Sequence, residues 1–314
     1  MKYVVQIGPI TKKRVNMSVR NLILDGTNLE FRIFYVAQSF KIHNGEDSLE
    51  LMSRFLVTFK KLVERFDPTE IYASWDKKLT YPSTNFRKEI LEGQYKAGRS
   101  KPDNVHELYD EEPKIIKLLS ALGVKHIFPN VLEADDVVAW LARKLPGETV
   151  IVSGDHDLLQ LINEDISVWD LKKLTTQDNF MEQIGVEPKY FKLYKAIMGD
   201  KSDNIQGLPG HGKVRSAKLA KEWEEATVTD EYREIVERNL KLVDLDYGFN
   251  VETGELDAYK MQFDKENVIA CGDIDQFKEL CMEYGLDKEM EQIKDWKKIL
   301  NRNNLVSMIN TLFS

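Results

Sequence analysis

Apolar and polar positions along the chain fall into short alternating blocks. "NLILDG" (21–26) is an apolar run that ends in Asp-Gly, and "EIYASWD" (70–76) repeats the form with Asp76 at its end. Runs of this length bounded by turn residues predict buried strands that lead into loops. Between them, Leu49, Met52, Leu56, Phe59 and Val63 recur at steps of three and four, which predicts a helix over 48–65. "GVKHIF" (123–128) and "ETVIVSGD" (148–155) predict two more strands, with "DDVVAWLARKL" as the helix between them. The βαβαβ order implies an α/β fold, a mostly parallel central sheet flanked by helices.

In such sheets ligands bind beyond the carboxyl ends of the strands. Asp25, Asp76 and Asp155 each stand at such an end, and Glu133 opens the helix after the "GVKHIF" strand. Asp135, Asp136 and Asp157 lie close by in sequence, and Asp200 and Asp203 occupy a later loop. Two carboxylates about 4 Å apart repel by roughly 4 kcal/mol at an effective dielectric of about 20, so a converged set of this size calls for cations. Basic residues are scarce in these motifs. All-oxygen ligands suit hard divalent ions, which makes Mg²⁺, with Mn²⁺ as a substitute, the expected partner. Any one of these acids alone reads equally well as a helix cap. Their recurrence at several strand ends is what capping does not require. "ILDGTN" also invites a haloacid-dehalogenase-type phosphatase, but Ile23 stands where that chemistry needs a nucleophilic Asp.

The alternation breaks at 77–112, a long stretch with Pro and Gly; from Lys77 to Lys101 it carries seven basic residues against Glu89 and Glu92. A net charge of −8 argues at first against a polyanionic partner, yet this local excess can still hold one. Long insertions in compact domains are commonly functional. After about residue 187 strand signals fade and helical patterns take over. There "GLPGHGKVRSAKLA" (207–220) has the form of a helix-hairpin-helix: Gly207, Gly210 and Gly212 let backbone approach a phosphate, and Lys213, Arg215 and Lys218 follow on a helix.

With "LILDGTN", "SWD", "YKAGR", "EADD", "SGDHDLLQL" and "MGDKSDNIQGLPGHGKVRSAKL" in this order, the sequence resembles the 5′ nuclease family over about residues 20–245. That PIN-like family includes flap endonucleases, phage 5′ nucleases and the 5′ nuclease domain of bacterial DNA polymerase I, and the free-standing length looks most like the phage branch. The resemblance implies two metal ions. Asp25, Asp76, Glu133, Asp135 and Asp136 would surround one, and Asp155, Asp157, Asp200 and Asp203 the other. It further implies that Lys96 and Arg99 act on the scissile phosphate at the base of a helical arch (77–112), with Tyr95 stacking on a base and Arg87 on the DNA-binding face. K⁺ at the helix-hairpin-helix is also implied. The expected domains are a nuclease core over 1–187 and a helical DNA-binding region over 188–314, with the helix-hairpin-helix at about 190–221.

The function that follows is a Mg²⁺-dependent structure-specific 5′ nuclease, a flap endonuclease and 5′ to 3′ exonuclease that removes RNA primers or flaps in replication. Its partners would be branched or nicked duplex DNA, or RNA/DNA, with a 5′ single-stranded end; single-strand-binding protein and sliding clamp are further candidates. "MINTLF" (308–313) resembles a clamp-binding motif but lacks its usual Gln, so a packed terminal helix is the simpler reading. The alternatives are a catalytically silent DNA-junction binding protein and a PIN-like ribonuclease. No apolar run reaches the roughly 20 residues of a bilayer span, the N-terminus lacks a cleavage site, and Cys271 and Cys281 have no metal-ligand spacing. A monomeric cytoplasmic protein with reduced thiols, in a host cell if phage-encoded, is expected.

Overall fold

The computed structural model describes residues 19–44, 50–76, 86–98, 105–129, 132–251 and 272–300. Strands β1 (Asn21–Asp25), β2 (Glu70–Ser74), β3 (Lys125–Ile127) and β4 (Thr149–Val152) form where the apolar runs place them. They are joined by β5 (Ile166–Trp169) and a two-residue β6 (Leu174–Thr175) in the order β3-β2-β1-β4-β5-β6. All pairings are parallel except β5 with β6. The strand order reverses at β1, so the crevice above β1 and β4 is the natural ligand position.

Burial on both faces explains the unbroken apolar runs. Leu22 and Leu24 of β1, with Val150 and Val152 of β4, join one core, while Ile23 and Ile151 point into the other. The first core is closed by α1 (Gly26–Asn44), α2 (Glu50–Phe66) and α4 (Val105–Ala121), after a short α3 (Phe86–Ile90). The second is closed by α5 (Ala134–Lys144), α6 (Gln177–Ile184), α7 (Phe191–Met198), α8 (Lys213–Glu222) and α9 (Asp230–Val243). The segment expected as a helical arch (77–112) overlaps α4, in which Leu108, Ile115, Leu118 and Leu119 form a buried helical stripe.

The region expected as one helical unit over 188–314 divides. After α10 (Leu245–Val251), the helices α11 (Ile274–Glu283) and α12 (Asp287–Glu291) lie on the opposite side of the sheet, against α2 and α4. Phe277 and Trp296 are buried there with Phe59 and Leu118, and Trp296 Nε1 donates to the buried Glu289 at 3.1 Å. The apolar stripe of α4 needs this cover. Among the described residues no helix is long and apolar enough to cross a membrane. Cys281 is a free buried thiol; Cys271 and "MINTLF" lie outside the described residues.

One packing contact ties strand ends to pH. The Trp75 indole occupies the space a Cβ on Gly26 would need, with ring carbon Cδ2 2.6 Å from that position. Any larger residue at 26 would push the ring from its place in the core, where it stacks on Phe55. Trp75 Nε1 donates to His126 Nδ1 at 2.8 Å, which fixes the proton on Nε2, a buried atom without a partner among the described residues. Burial pulls the His126 pKa down to about 4. The unfolded chain, at about 6.5, therefore binds more protons between these values, so stability is complete above pH 6.5 and falls as pH drops towards 4. At about 1.4 kcal/mol per pH unit, the loss by pH 4 is on the order of 3 kcal/mol. Thermal melts between pH 4.5 and 7.5 should show His126→Gln with a flatter acid limb than the wild type; parallel limbs would contradict the assignment.

Candidate metal centre and nucleic-acid interface

The acids do converge on one edge of the sheet. Asp25, at the end of β1, accepts from Ser153 Oγ at 2.7 Å and from the Asn28 backbone N–H at 3.2 Å. Burial pushes its carboxyl up to about 7, with Asp76 and Asp155 adding to the rise against the Ser153 bond. It is the link between two groups of acids.

In the first group, Asp76 accepts from the Ala134 N–H at 2.8 Å, pinning the start of α5 to the end of β2. The surrounding protein and then Glu133 raise its carboxyl. Glu133 caps α5, and one oxygen each from Glu133, Asp135 and Asp136 lie within 4.8 Å of one another. Burial, then Asp136 and Glu133, push Asp135 well above the carboxylate range. Burial opposes ionisation of Glu133 too, but Lys96 and Arg87 together pull it down to about 2.

In the second group, Asp157 N donates to Asp155 Oδ1 at 2.8 Å at the start of a 3₁₀ turn (Asp157–Leu161). Lys195 Nζ lies 2.8 Å from Asp157 Oδ1 and 2.9 Å from Asp200 Oδ2. Burial raises Asp157 to about 6 in spite of this lysine, whereas Ser202 and Lys195 overcome burial to lower Asp200 to about 2. Lys195, missed in the sequence reading, stands in "YKAIMGD" five residues before Asp200, and its basic charge beside that motif was the available signal.

Two expected DNA contacts are instead part of this acid framework. Arg87 is 2% exposed and forks onto Asp136 at 2.6 and 2.8 Å, reaching Glu133 at 3.1 Å and the Leu242 carbonyl at 3.0 Å. The fully buried Asp136 thus offers both oxygens to Arg87 rather than to an open site. Tyr95 is 6% exposed, and its hydroxyl donates to Glu133 at 2.9 Å and Asp203 at 3.2 Å, so its ring is no platform for a base in this state. Lys96, with a left-handed φ of 57°, donates to Glu133 Oε1 at 2.6 Å. It sits in a turn whose backbone bonds to the Asp203 carbonyl, not on a helix face. Arg99 lies outside the described residues. Arg32, also missed, fills with its guanidinium the space a Cβ on Gly154 would take, at the lip beside Asp155.

The helix-hairpin-helix reading maps onto α7, a short β-hairpin of β7 (Gly199–Asp200) and β8 (Ile205–Gln206), a turn and α8. Buried Asn239 staples this unit, donating to the Ala196 and Gln206 carbonyls at 2.8 Å each. Gly207 serves packing rather than phosphate approach, since the Met198 carbonyl takes the place of its Cβ. A Cβ on Gly212 would meet open space, Gly210 has a left-handed φ of 73° with an Arg215 guanidinium nitrogen 3.6 Å from its Cβ position, and Lys213, Arg215 and Lys218 are exposed.

The fit to metal follows from the donors: oxygen-only, crowded, and with Asp25, Asp135 and Asp157 driven towards neutrality by burial and then by the carboxylates beside them. A divalent cation relieves that repulsion. In the turn at 208–212 the carbonyls of Leu208, Pro209, Gly210, His211 and Gly212 accept from His211 N, His211 Nδ1, Arg215, Ser216 Oγ and Ser216 N.

Residues 20–190 match the 5′-3′ exonuclease N-terminal, resolvase-like domain. The 5′-3′ exonuclease of Bacillus subtilis is 34% identical over 214 residues, 65% of this chain and 70% of that protein. DNA polymerase I of Lactococcus lactis is 32% identical over 220 residues, covering 65% of this chain but 24% of the polymerase. Among solved structures, phage T5 5′-exonuclease with divalent zinc bound aligns with a TM-score of 0.59 at 22% identity, over 90% of this chain and 100% of that one.

Proposed function

The chain belongs to the 5′-3′ exonuclease family, and from that premise we propose that it is a Mg²⁺-dependent, structure-specific 5′ nuclease that cuts flaps and shortens 5′ ends during replication. The observation that carries this reading is the paired acid groups joined through Asp25 at the carboxyl edge of the sheet, followed in the chain by the glycine-containing turn before α8. Asp25, Asp76, Glu133 and Asp135 would hold one ion, and Asp155, Asp157, Asp200 and Asp203 a second. Asp136 supports the first group through Arg87. When bound, such ions polarise the scissile phosphate, ease deprotonation of water and stabilise the departing 3′ oxygen.

The chain's own residues do the rest. Lys96, held at Glu133, is placed to exchange that carboxylate for a substrate phosphate and offset its developing charge. Lys195 keeps Asp157 and Asp200 together at 2.8 and 2.9 Å before any ion arrives. Tyr95, a neutral donor between Glu133 and Asp203, spans the two groups. The turn and first helical residues at Gly210–Lys218 would grip the duplex, and the basic segment from Lys77 would guide the single-stranded 5′ end. A site of action in the cytoplasm, on replication intermediates, fits these substrates. The division into a core over 1–187 and a DNA-binding unit built on 190–221 is part of the same reading.

One assay tests it against a silent junction-binding protein and a PIN-like ribonuclease. A labelled 5′ flap, a nicked duplex and a single-stranded RNA are each incubated with Mg²⁺ and with EDTA. Cleavage of the flap in Mg²⁺ alone is expected. Binding without cleavage would establish the first rival, and preferential RNA cutting the second.

A further inference from the structure

We propose that Gln160 is a positioning residue of the second acid group, one that fixes the turn carrying Asp157 to the end of α9 and so sets how tightly that group holds its ion. It rests on the reading of these acids as metal ligands, and it adds a side chain and a route of support which that reading does not contain.

Asp157 opens a 3₁₀ turn of five residues, with His156 as N-cap and no side-chain cap. Such turns have poorer hydrogen-bond geometry than an α-helix, so they depend on outside contacts to keep one shape. Leu158, Leu159 and Leu161 supply the apolar contacts by burial. Gln160 supplies the polar ones. Its Nε2 donates to the Asp157 carbonyl at 2.8 Å and to the Val243 carbonyl at 2.9 Å, and its Oε1 accepts from the Leu245 N–H at 3.2 Å. Two carbonyls face the nitrogen and one N–H faces the oxygen, so only this orientation of the amide satisfies all three. The bonds to Val243 and Leu245 span 83 and 85 positions of sequence.

The far end of these bonds is a part of α9 that needs donors. Leu242 and Val243 close the helix before Asp244 leaves it with extended backbone, so their carbonyls have no acceptor role left within the helix. Arg87 Nε donates to the first at 3.0 Å and Gln160 to the second. Arg87 also holds Asp136 and Glu133 of the first acid group, whereas Gln160 holds the backbone of Asp157 in the second. Consecutive carbonyls of one helix thus anchor both groups. One turn earlier the same helix carries Asn239, which staples the Ala196 and Gln206 carbonyls of the helix-hairpin-helix.

The other contacts of Asp157 lie within the acid group itself. Its N–H donates to Asp155 Oδ1 at 2.8 Å, and its carboxylate meets Lys195 at 2.8 Å. An incoming cation competes for both carboxylates. The Gln160 bonds involve no carboxylate, so they hold the turn whether or not an ion is present. Side chains that orient a metal ligand contribute about 10- to 100-fold to metal affinity, and one that acts through the ligand's backbone belongs at the lower end.

The test compares the full chain with Gln160→Met, which keeps the length of the side chain without its hydrogen bonds, and with Gln160→Glu, which keeps an acceptor for Leu245 but, ionised, has no donor. Hydrogen exchange in EDTA should show residues 157–162 exchanging faster in both variants, with the amides of α7 as in the wild type. Mn²⁺ binding, read from the paramagnetic resonance of the free ion, should weaken by about tenfold, and the Mg²⁺ concentration for half-maximal flap cleavage should rise by about the same factor. KM for the flap at saturating Mg²⁺ should not change. The added charge of Gln160→Glu would by itself tighten a cation, so weaker binding there isolates the lost donor. Wild-type metal midpoints in both variants, with only a lower melting temperature, would make Gln160 a packing residue and overturn the proposal, as would wild-type exchange at 157–162. A wild type that binds no Mn²⁺ would instead bring down the metal reading, and the inference about ion affinity with it; the exchange in EDTA does not depend on that reading.

Discussion

Replacing Asp155 with alanine should cut cleavage of a 5′ flap by more than about 100-fold, because even residues that only support a metal ligand cost about 10- to 100-fold when removed. Folding should survive. Asp155 lies half-buried among Asp25 and Asp157, both already raised by burial, so its removal relieves repulsion in the ion-free protein. Circular dichroism and thermal melting in EDTA should match or exceed the wild type, while stabilisation by added Mg²⁺ should shrink. Asp200→Ala should behave alike in cleavage but lose one of the two acids on Lys195. Lys96→Ala forms the contrast: kcat should fall with KM nearly unchanged, since its charge is spent on the reacting phosphate rather than on duplex binding. Full Mg²⁺-dependent activity in both aspartate variants would end the two-metal reading.

The second large effect concerns stability. Arg87→Met leaves the fully buried Asp136 carboxylate without its fork, and breaking a buried pair by removing one partner costs about 3–5 kcal/mol. Arg87→Met combined with Asp136→Leu removes both charges and should recover most of that loss, because apolar pairs of similar volume replace buried ion pairs with little penalty. Cleavage should not recover with it. Arg87 also holds Glu133 and the Leu242 carbonyl, and so joins α3, the start of α5 and the end of α9. Urea unfolding measures the first effect and flap cleavage the second. A single variant within about 1 kcal/mol of the wild type would mean that Asp136 is served by other groups.

The first of these variants falls where reading the chain was sufficient. An apolar run ended by Asp-Gly or Trp-Asp can be recognised in the sequence, since a strand buried on both faces is built mainly from apolar side chains. Asp25, Asp76 and Asp155 were found that way, and the sheet order β2-β1-β4 brings their strand ends side by side. The helix α1 was not anticipated. Its apolar residues, Leu29, Ile33 and Phe34, are mixed with Glu30, Phe31 and Arg32, so its periodicity is weak. The strand β5 alternates buried and half-buried positions over only four residues, too few to separate from a loop.

The amino-acid order by itself determined the α/β class, the acids at the strand ends and the basic, glycine-containing turn before α8, because each is a local pattern imposed by burial or backbone geometry. Which acids stay open to a cation was decided only in three dimensions. Arg87 meets Asp136 across 49 positions, Tyr95 meets Asp203 across 108, and Ser153 meets Asp25 across 128. Charge pairing depends on distance in space and on exclusion of water, neither of which is written in residue spacing. Arg87 and Tyr95, which look like DNA contacts in sequence, are therefore, once folded, groups that hold the carboxylates in place.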